Sequence, residues 1–269
     1  MDVKKRIITL TTDFGLSDWY AGVMKGVMLS INPHAEIVDI THLVPAGDIG
    51  KGALALKSAC GFFPKGTVHV GVVDPGVGGI RRPILIKTKD YFFIGPDNGL
   101  LLPAALSNSI KKAVELENKG YFLDAISPTF HGRDIFASVA AHLSMGKGVL
   151  KFGRAIDSSG IKTIAMPLVK VKKDSIEGTV VYVDSFGNLT TNIERHDVKW
   201  DGSLTDIKIG RRIIKGIKAA YCDAEEGGLV AFFGSSGNLE IALNRGDASR
   251  RLKTGPGERV YLKKRASRE

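Results

Sequence analysis

The side chains best suited to chemistry fall in two short segments, Val70-Gly71-Val72-Val73-Asp74-Pro75-Gly76-Val77-Gly78-Gly79-Ile80-Arg81-Arg82-Pro83 and Pro128-Thr129-Phe130-His131-Gly132-Arg133-Asp134. The first starts as a β-branched run, which reads as a buried strand, and breaks at Asp74 into a Pro/Gly-rich turn where backbone can wrap closely around a small molecule. Asp74 therefore stands at the C-terminal end of a buried strand, where open α/β sheets place their ligands. Arg81 adds a cation that does not titrate, and His131 a group that titrates near neutrality. If these three converge, one site holds a carboxylate, a fixed positive charge and a proton carrier.

Further polar residues sit at strand ends and turns. Asp13 ends the first strand as Asp74 ends the central one, and adjacent parallel strands would bring both carboxylates to one sheet edge. There a carboxylate suits the paired hydroxyls of a ribose, while a cap or turn role is its bland alternative. Asp97, in Ile94-Gly95-Pro96-Asp97-Asn98-Gly99, reads as a turn or cap residue. His42 also follows a strand and is the one rival to His131. Further on, Val183-Asp184-Ser185-Phe186-Gly187-Asn188 is a hairpin-like turn. Its aromatic Phe186 and amide Asn188 suit a purine edge. Ser235 and Ser236, in Gly234-Ser235-Ser236-Gly237-Asn238, offer hydroxyls and free amides to a carboxylate.

The elements that would hold these residues fall into two halves. Residues 1–167 alternate strand and helix signals: strands at 7–12, 36–40 and 68–73, a hairpin of 84–88 with 91–94, and helices at 19–31, 48–60, 99–106 and 133–144. Ser17 or Asp18 is the expected cap of the first helix, and Asp48 of the second. This pattern predicts an α/β domain with a mostly parallel sheet between helices. Residues 168–269 read as short strands at 178–183, 189–193, 206–209, 212–220, 228–233, 239–243 and 259–262. Their close, even spacing predicts a small antiparallel all-β barrel.

Composition excludes some classes. Apolar residues are 43% and charged residues 25% of the chain, an ordinary globular mixture. No apolar run approaches the roughly 20 residues of a membrane helix. The N-terminal Met1-Asp2-Val3-Lys4-Lys5-Arg6 leads directly into a strand and does not read as a signal peptide, so the cytoplasm is the expected compartment. The formal charge of +10 is divided evenly, with 19 Lys+Arg against 14 Asp+Glu in 1–167 and again in 168–269. Neither half is a dedicated basic module and no aromatic stripe accompanies the charge, so no nucleic-acid partner is expected. Cys60 and Cys222 read as small buried hydrophobes, and no metal-ligand spacing is present. The glycines after Asp74 lack the Lys-Ser/Thr of a phosphate loop.

Taken in order, seven segments resemble the S-adenosylmethionine hydroxide adenosyltransferase family, relatives of the enzymes that make fluorinated and chlorinated adenosine. They are Thr11–Gly15, Asp39–His42, Val73–Gly78, Gly95–Leu100, Thr129–Asp134, Phe186–Asn188 with Thr191-Asn192, and Ser235–Gly237. The resemblance covers essentially the whole chain. It implies an adenosine-forming S-adenosylmethionine hydrolase with Asp74, Arg81 and His131 as a water-activating triad and no cofactor beyond its substrate. It assigns Asp13 to the ribose, Phe186 and Asn188 to adenine, Asp184 to the methionine ammonium, and Ser235 and Ser236 to the methionine carboxylate. It also implies a homotrimer with active sites between subunits. The fluorinating relative carries a long insertion after the equivalent of Asp74 and a bulky aromatic lining its halide pocket. Here Gly76–Pro83 runs straight into Ile84, and Ala46-Gly47 stands where the aromatic would be, which favours water as nucleophile. The alternatives are a chloride-using 5′-halogenase and a non-catalytic adenosine- or S-adenosylmethionine-binding protein.

Overall fold

The computed structural model describes residues 7–165 and 167–266, so the N-terminal hexapeptide lies outside the described residues. The chain divides into two compact units, Met1–Ala165 and Met166–Glu269.

In the first unit the strands are β1 (Ile7–Thr12), β2 (Glu36–Thr41), β3 (Val68–Val72), β4 (Pro83–Thr88), β5 (Phe92–Pro96), β6 (Ile110–Leu116) and β7 (Gly153–Ile156). They form one sheet in the order β2-β1-β3-β5-β4-β6-β7. The valine-rich central strand β3 is buried at every residue, as befits a strand covered on both faces. Helices α1 (Tyr20–Ile31) and α4 (Ser138–Ser144) cover one face, packing Met24, Met28, Val139 and Leu143 on Ile8, Leu10, Val68 and Val70. Helices α2 (Ile49–Cys60) and α3 (Leu102–Leu106) cover the other, with Leu56, Leu102 and Ala105 against Val73, Ile84, Ile86 and Phe93.

The expectation of a mostly parallel sheet needs correcting. Only β2, β1, β3 and β5 run parallel, whereas β4, β6 and β7 are antiparallel to their neighbours. The cause is local: Lys89-Asp90-Tyr91 joins β4 to β5 too tightly for a crossover, so the two must run antiparallel. Strand β6 escapes the sequence pattern because Lys111 and Lys112 interrupt its apolar alternation, and β7 because its four residues are too few to show one. Asp48 caps α2 as expected, accepting from the Lys51 amide at 2.8 Å. Neither Ser17 nor Asp18 caps α1; Trp19 occupies that position without a side-chain hydrogen bond.

The second unit contains β8 (Lys170–Val171), β9 (Ser175–Val183), β10 (Leu189–Glu194), β11 (Thr205–Ile209), β12 (Arg212–Lys215), β13 (Leu229–Phe233), β14 (Asn238–Leu243), β15 (Arg259–Lys264) and the short helix α5 (Ala248–Leu252). All pairings are antiparallel, in the order β12-β11-β15-β9-β10-β14-β13 with β8 beside β9. Alternate residues such as Ile176, Leu189, Ile193, Ile207, Ile241 and Val260 fill one core. The strand expected over 212–220 stops at Lys215, because Gly216 turns the chain with φ +76°. Cys60 is buried as expected, but Cys222 is exposed on a 3-10 turn and is not a core residue.

Candidate active site

The site in the first unit begins where parallel strands end. Thr12 of β1 lies in register with Val72 of β3, so Asp13 and Asp74 leave the sheet at the same edge. Both border a cavity of about 410 Å³, in the range that suits a small-molecule ligand. Its remaining walls include Phe14, Ala46, Gly47, Val77, Phe130 and His131. One Asp13 oxygen, Oδ2, accepts from the Gly47 amide at 2.8 Å, which orients the carboxylate and leaves Oδ1 for a ligand.

Arg81 links the other two residues. Its Nε donates to Asp74 Oδ1 and Oδ2 at 3.1 and 3.0 Å, and its Nη2 donates to Oδ2 at 2.6 Å. The same Nη2 lies 2.7 Å from His131 Nδ1. The Arg81 and Asp74 side chains are only 6% and 5% exposed, so this ion pair is held largely out of water. Phe136 lies 5.5 Å below the guanidinium carbon. Arg82 does not enter the site: it donates to Asp97 and to the Gly160 carbonyl. Asp97 is buried and also accepts from the Lys162 amide at 2.8 Å, in keeping with a structural role.

This geometry fixes the tautomer of His131. A guanidinium offers only donors, so Nδ1 must accept and the neutral ring carries its hydrogen on Nε2. Burial, and then the Arg81 charge, hold the imidazole below its ordinary pKa of 6.5, which favours that neutral form. His131 precedes a π-helical segment, Gly132–Ala137, that runs into α4. Fully buried Asp134 pins the loop before it by accepting from the Ser127 amide at 2.7 Å and from Arg133 Nε at 2.5 Å. Gly78, at φ +74°, lies so close to the Pro128 carbonyl that a Cβ there would overlap it. A glycine is thus required where the Asp74–Arg81 loop meets the His131 loop. The rival His42 is a structural residue, 2% exposed, with Nδ1 2.8 Å from Thr12 Oγ1 and Nε2 3.0 Å from Asp39 Oδ1.

The second unit has its own cavity, of about 430 Å³, lined by Phe186, Asn188, Tyr221, Leu243, Arg245 and Gly246. Phe186 is 76% exposed and presents an aromatic face, while Asn188 is buried. Asn188 Nδ2 donates to Asp184 Oδ2 at 2.8 Å and to the Tyr221 hydroxyl at 3.2 Å. Because a carboxylate only accepts, the amide nitrogen must face Asp184, which leaves Asn188 Oδ1 as an acceptor. Asp184 also accepts from the amides of Phe186 and Asn188, at 2.9 and 2.8 Å, and so organises the turn. Ser235 and Ser236 are exposed in the β13–β14 turn.

Sequence reasoning missed Tyr221 and Glu240. Tyr221 is distant from the Asp184 turn in sequence, and only folding brings its hydroxyl to Asn188. Glu240 is paired in register with Thr190 and Phe232, and burial followed by the charge of Asp184 pushes its carboxyl pKa up. Two neighbouring carboxylates without an ion-pair partner among the described residues favour a positively charged ligand group.

Comparison with known proteins agrees with the segments that carry this geometry. Residues 8–153 match the model of the SAM hydroxide adenosyltransferase N-terminal domain, and residues 178–261 that of the C-terminal domain. The chain belongs to the SAM hydroxide adenosyltransferase family. It is 37% identical over 261 residues to an (R)-S-adenosyl-L-methionine hydrolase of Salinispora tropica, covering 95% of this chain and 97% of that one. A solved structure of an uncharacterized conserved protein from Thermotoga maritima superposes with a TM-score of 0.88 at 39% identity, covering 96% of this chain and all of that one (100%). A fluorinase of Actinoplanes is more distant, at 29% identity over 271 residues, with 88% of this chain and 91% of the relative covered.

Proposed function

We propose that this protein hydrolyses S-adenosyl-L-methionine to adenosine and L-methionine by attack of an activated water on C5′. The observation that carries the reading is Arg81, which clamps Asp74 and His131 together beside the cavity that also holds Asp13. The sulfonium already activates C5′. As the C–O bond forms, the C5′–S bond breaks and its electron pair returns to sulfur, so methionine leaves as a neutral thioether. The difficulty lies with water, which must be aligned and relieved of a proton. His131 holds the oxygen through Nε2–H, and Asp74 takes the proton; Arg81 stabilises developing hydroxide charge and fixes both partners. In this scheme His131 is a donor and not the base, because its other nitrogen is occupied by Arg81.

Asp13 Oδ1 suits the ribose hydroxyls, Phe186 the face of adenine, and Asn188 Oδ1 its amino group. The negative field of Asp184 with Glu240 suits the methionine ammonium, and Ser235 with Ser236 its carboxylate. We take the antiparallel unit to be a small barrel, supported by the bridge between Lys218 and Phe232 that draws its two end strands together. The resemblance further supports a homotrimer with active sites between subunits. Greater identity to a hydrolase than to a fluorinase, and a short loop from Asp74 to Pro83, favour water over halide. Incubating the pure protein with S-adenosylmethionine, with and without chloride, and resolving the nucleosides tests the reading: adenosine alone supports it, 5′-chloroadenosine points to the halogenase, and unchanged substrate to a binding protein.

A further inference from the structure

The excess positive charge of the chain is not explained by the reaction. S-Adenosylmethionine carries a sulfonium, an ammonium and one carboxylate, so it is a net cation and a protein of formal charge +10 repels it at long range. That step rests on the substrate proposed above; the geometry that follows does not. In the antiparallel unit, two cavities of about 360 Å³ each have a common border formed by Arg212 and Arg251. Lys215 and Lys218 line the first, and Arg211 and Lys253 the second. Together they place six cationic side chains around one concave region, and none of the six is in an ion pair with a described residue.

The local fold explains how cations distant in sequence meet. Gly210 and Arg211 form the two-residue turn that pairs Arg212 with Ile209, and Gly210 takes φ +53° to make it. Arg251 lies in the last turn of α5, and Lys253 follows in the left-handed region at φ +52°, a position that usually goes to glycine. The two carboxylates of this region are directed to other partners. Asp223 accepts from the amides of Ala219 and Ala220 at 2.9 and 3.1 Å, and Glu258 accepts from the Thr254 hydroxyl at 3.1 Å. Neither forms an ion pair with the six cations, so two carboxylates stand against six positive charges in the lining.

We propose that these adjoining cavities form a second ligand site, for a small anion bearing several phosphates. Guanidinium groups pair with phosphate oxygens through two parallel hydrogen bonds, and two arginines on a common wall suit a chain of linked phosphates better than a single anion. Concavity favours a small molecule over a duplex or a lipid surface, which need a broad convex or flat face.

Inorganic tripolyphosphate is the probe, because it lacks the adenine and ribose that the reaction site is proposed to hold. Calorimetric titration of the full chain should show saturable binding, tighter than that of orthophosphate. Binding should weaken at least about tenfold in Arg212→Glu/Arg251→Glu, the scale of losing charge-assisted contacts. Lys172→Glu/Lys173→Glu, which makes the same change of charge outside the cavities, should alter affinity about twofold or less. Unchanged thermal unfolding and adenosine formation in both variants would show that the fold is intact, and Arg212→Gln/Arg251→Gln replaces the reversal if it is not. Absence of tripolyphosphate binding, equal loss in both double variants, or retention of an RNA duplex or anionic vesicles in preference to tripolyphosphate would each overturn the proposal.

Discussion

Replacing His131 separates the roles a histidine can play. In His131→Ala, Arg81 Nη2 keeps Asp74 but loses its second acceptor, at 2.7 Å, and in the proposed scheme the nucleophile loses the Nε2–H donor. A hydrogen bond involving a charged group contributes about 1.5–3 kcal/mol, which at about 1.4 kcal/mol per decade is roughly ten- to hundredfold in rate. With both contacts gone, kcat should fall at least about a hundredfold. His131→Asn keeps an oxygen that can accept from Arg81, and His131→Gln reaches further with an amide N–H; neither can take up a proton at neutral pH. If His131 acts as acceptor and donor, one of these amides should recover about tenfold of the loss seen in alanine, measured as initial rates of adenosine release at saturating substrate. If both are as inactive as alanine while the fold is intact, the ring is the base and the proton does not go to Asp74. Nitrogen-15 spectra of labelled protein supply an independent check: Nδ1 should resonate as the unprotonated nitrogen at neutral pH.

Other perturbations should give distinct outcomes. Arg81→Ala leaves Asp74, 5% exposed, without its countercharge, and should destabilise the protein by about 3–5 kcal/mol in denaturant titrations; Asp74→Asn/Arg81→Ala should recover much of that while remaining inactive. In the proposed scheme His131 works neutral, and its pKa is lowered, so activity should be flat above pH 6.5 and fall only as the pH drops below that value; a fall on the alkaline side of 6.5 would contradict the assignment. Asn188→Ala should raise KM more than it lowers kcat, since Asn188 lies in the cavity of the second unit and not with Asp74, Arg81 and His131. Mixing inactive His131→Ala and Asn188→Ala chains after dissociation and reassembly should restore part of the activity if a trimer shares its sites, and none if each chain acts alone.

The site was more legible in the sequence than the sheet that carries it. Asp74 follows a valine-rich strand, and the Pro/Gly-rich chain must turn there, so its place at the strand end is dictated locally. Arg81 and His131 could be nominated by type, but a sequence cannot reveal that one guanidinium nitrogen touches both neighbours, nor, therefore, the tautomer. The seven short strands expected after residue 168 are all present because turn residues mark their ends. Strands β6 and β7 were not legible: Lys111 and Lys112 disguise the alternation of β6, β7 is only four residues long, and β7 pairs with a strand far away in sequence. Asp184 shows the same limit. Its type suggested a ligand for an ammonium, while the fold commits three of its contacts to the Phe186–Asn188 turn.

The claim that water is the nucleophile is tested most directly by turnover of S-adenosylmethionine in oxygen-18 water with chloride present. The expected product is adenosine carrying one heavy oxygen in its 5′-hydroxyl, formed at a rate that chloride leaves essentially unchanged. Unlabelled adenosine, or a 5′-chloro nucleoside that rises with chloride concentration, would contradict it.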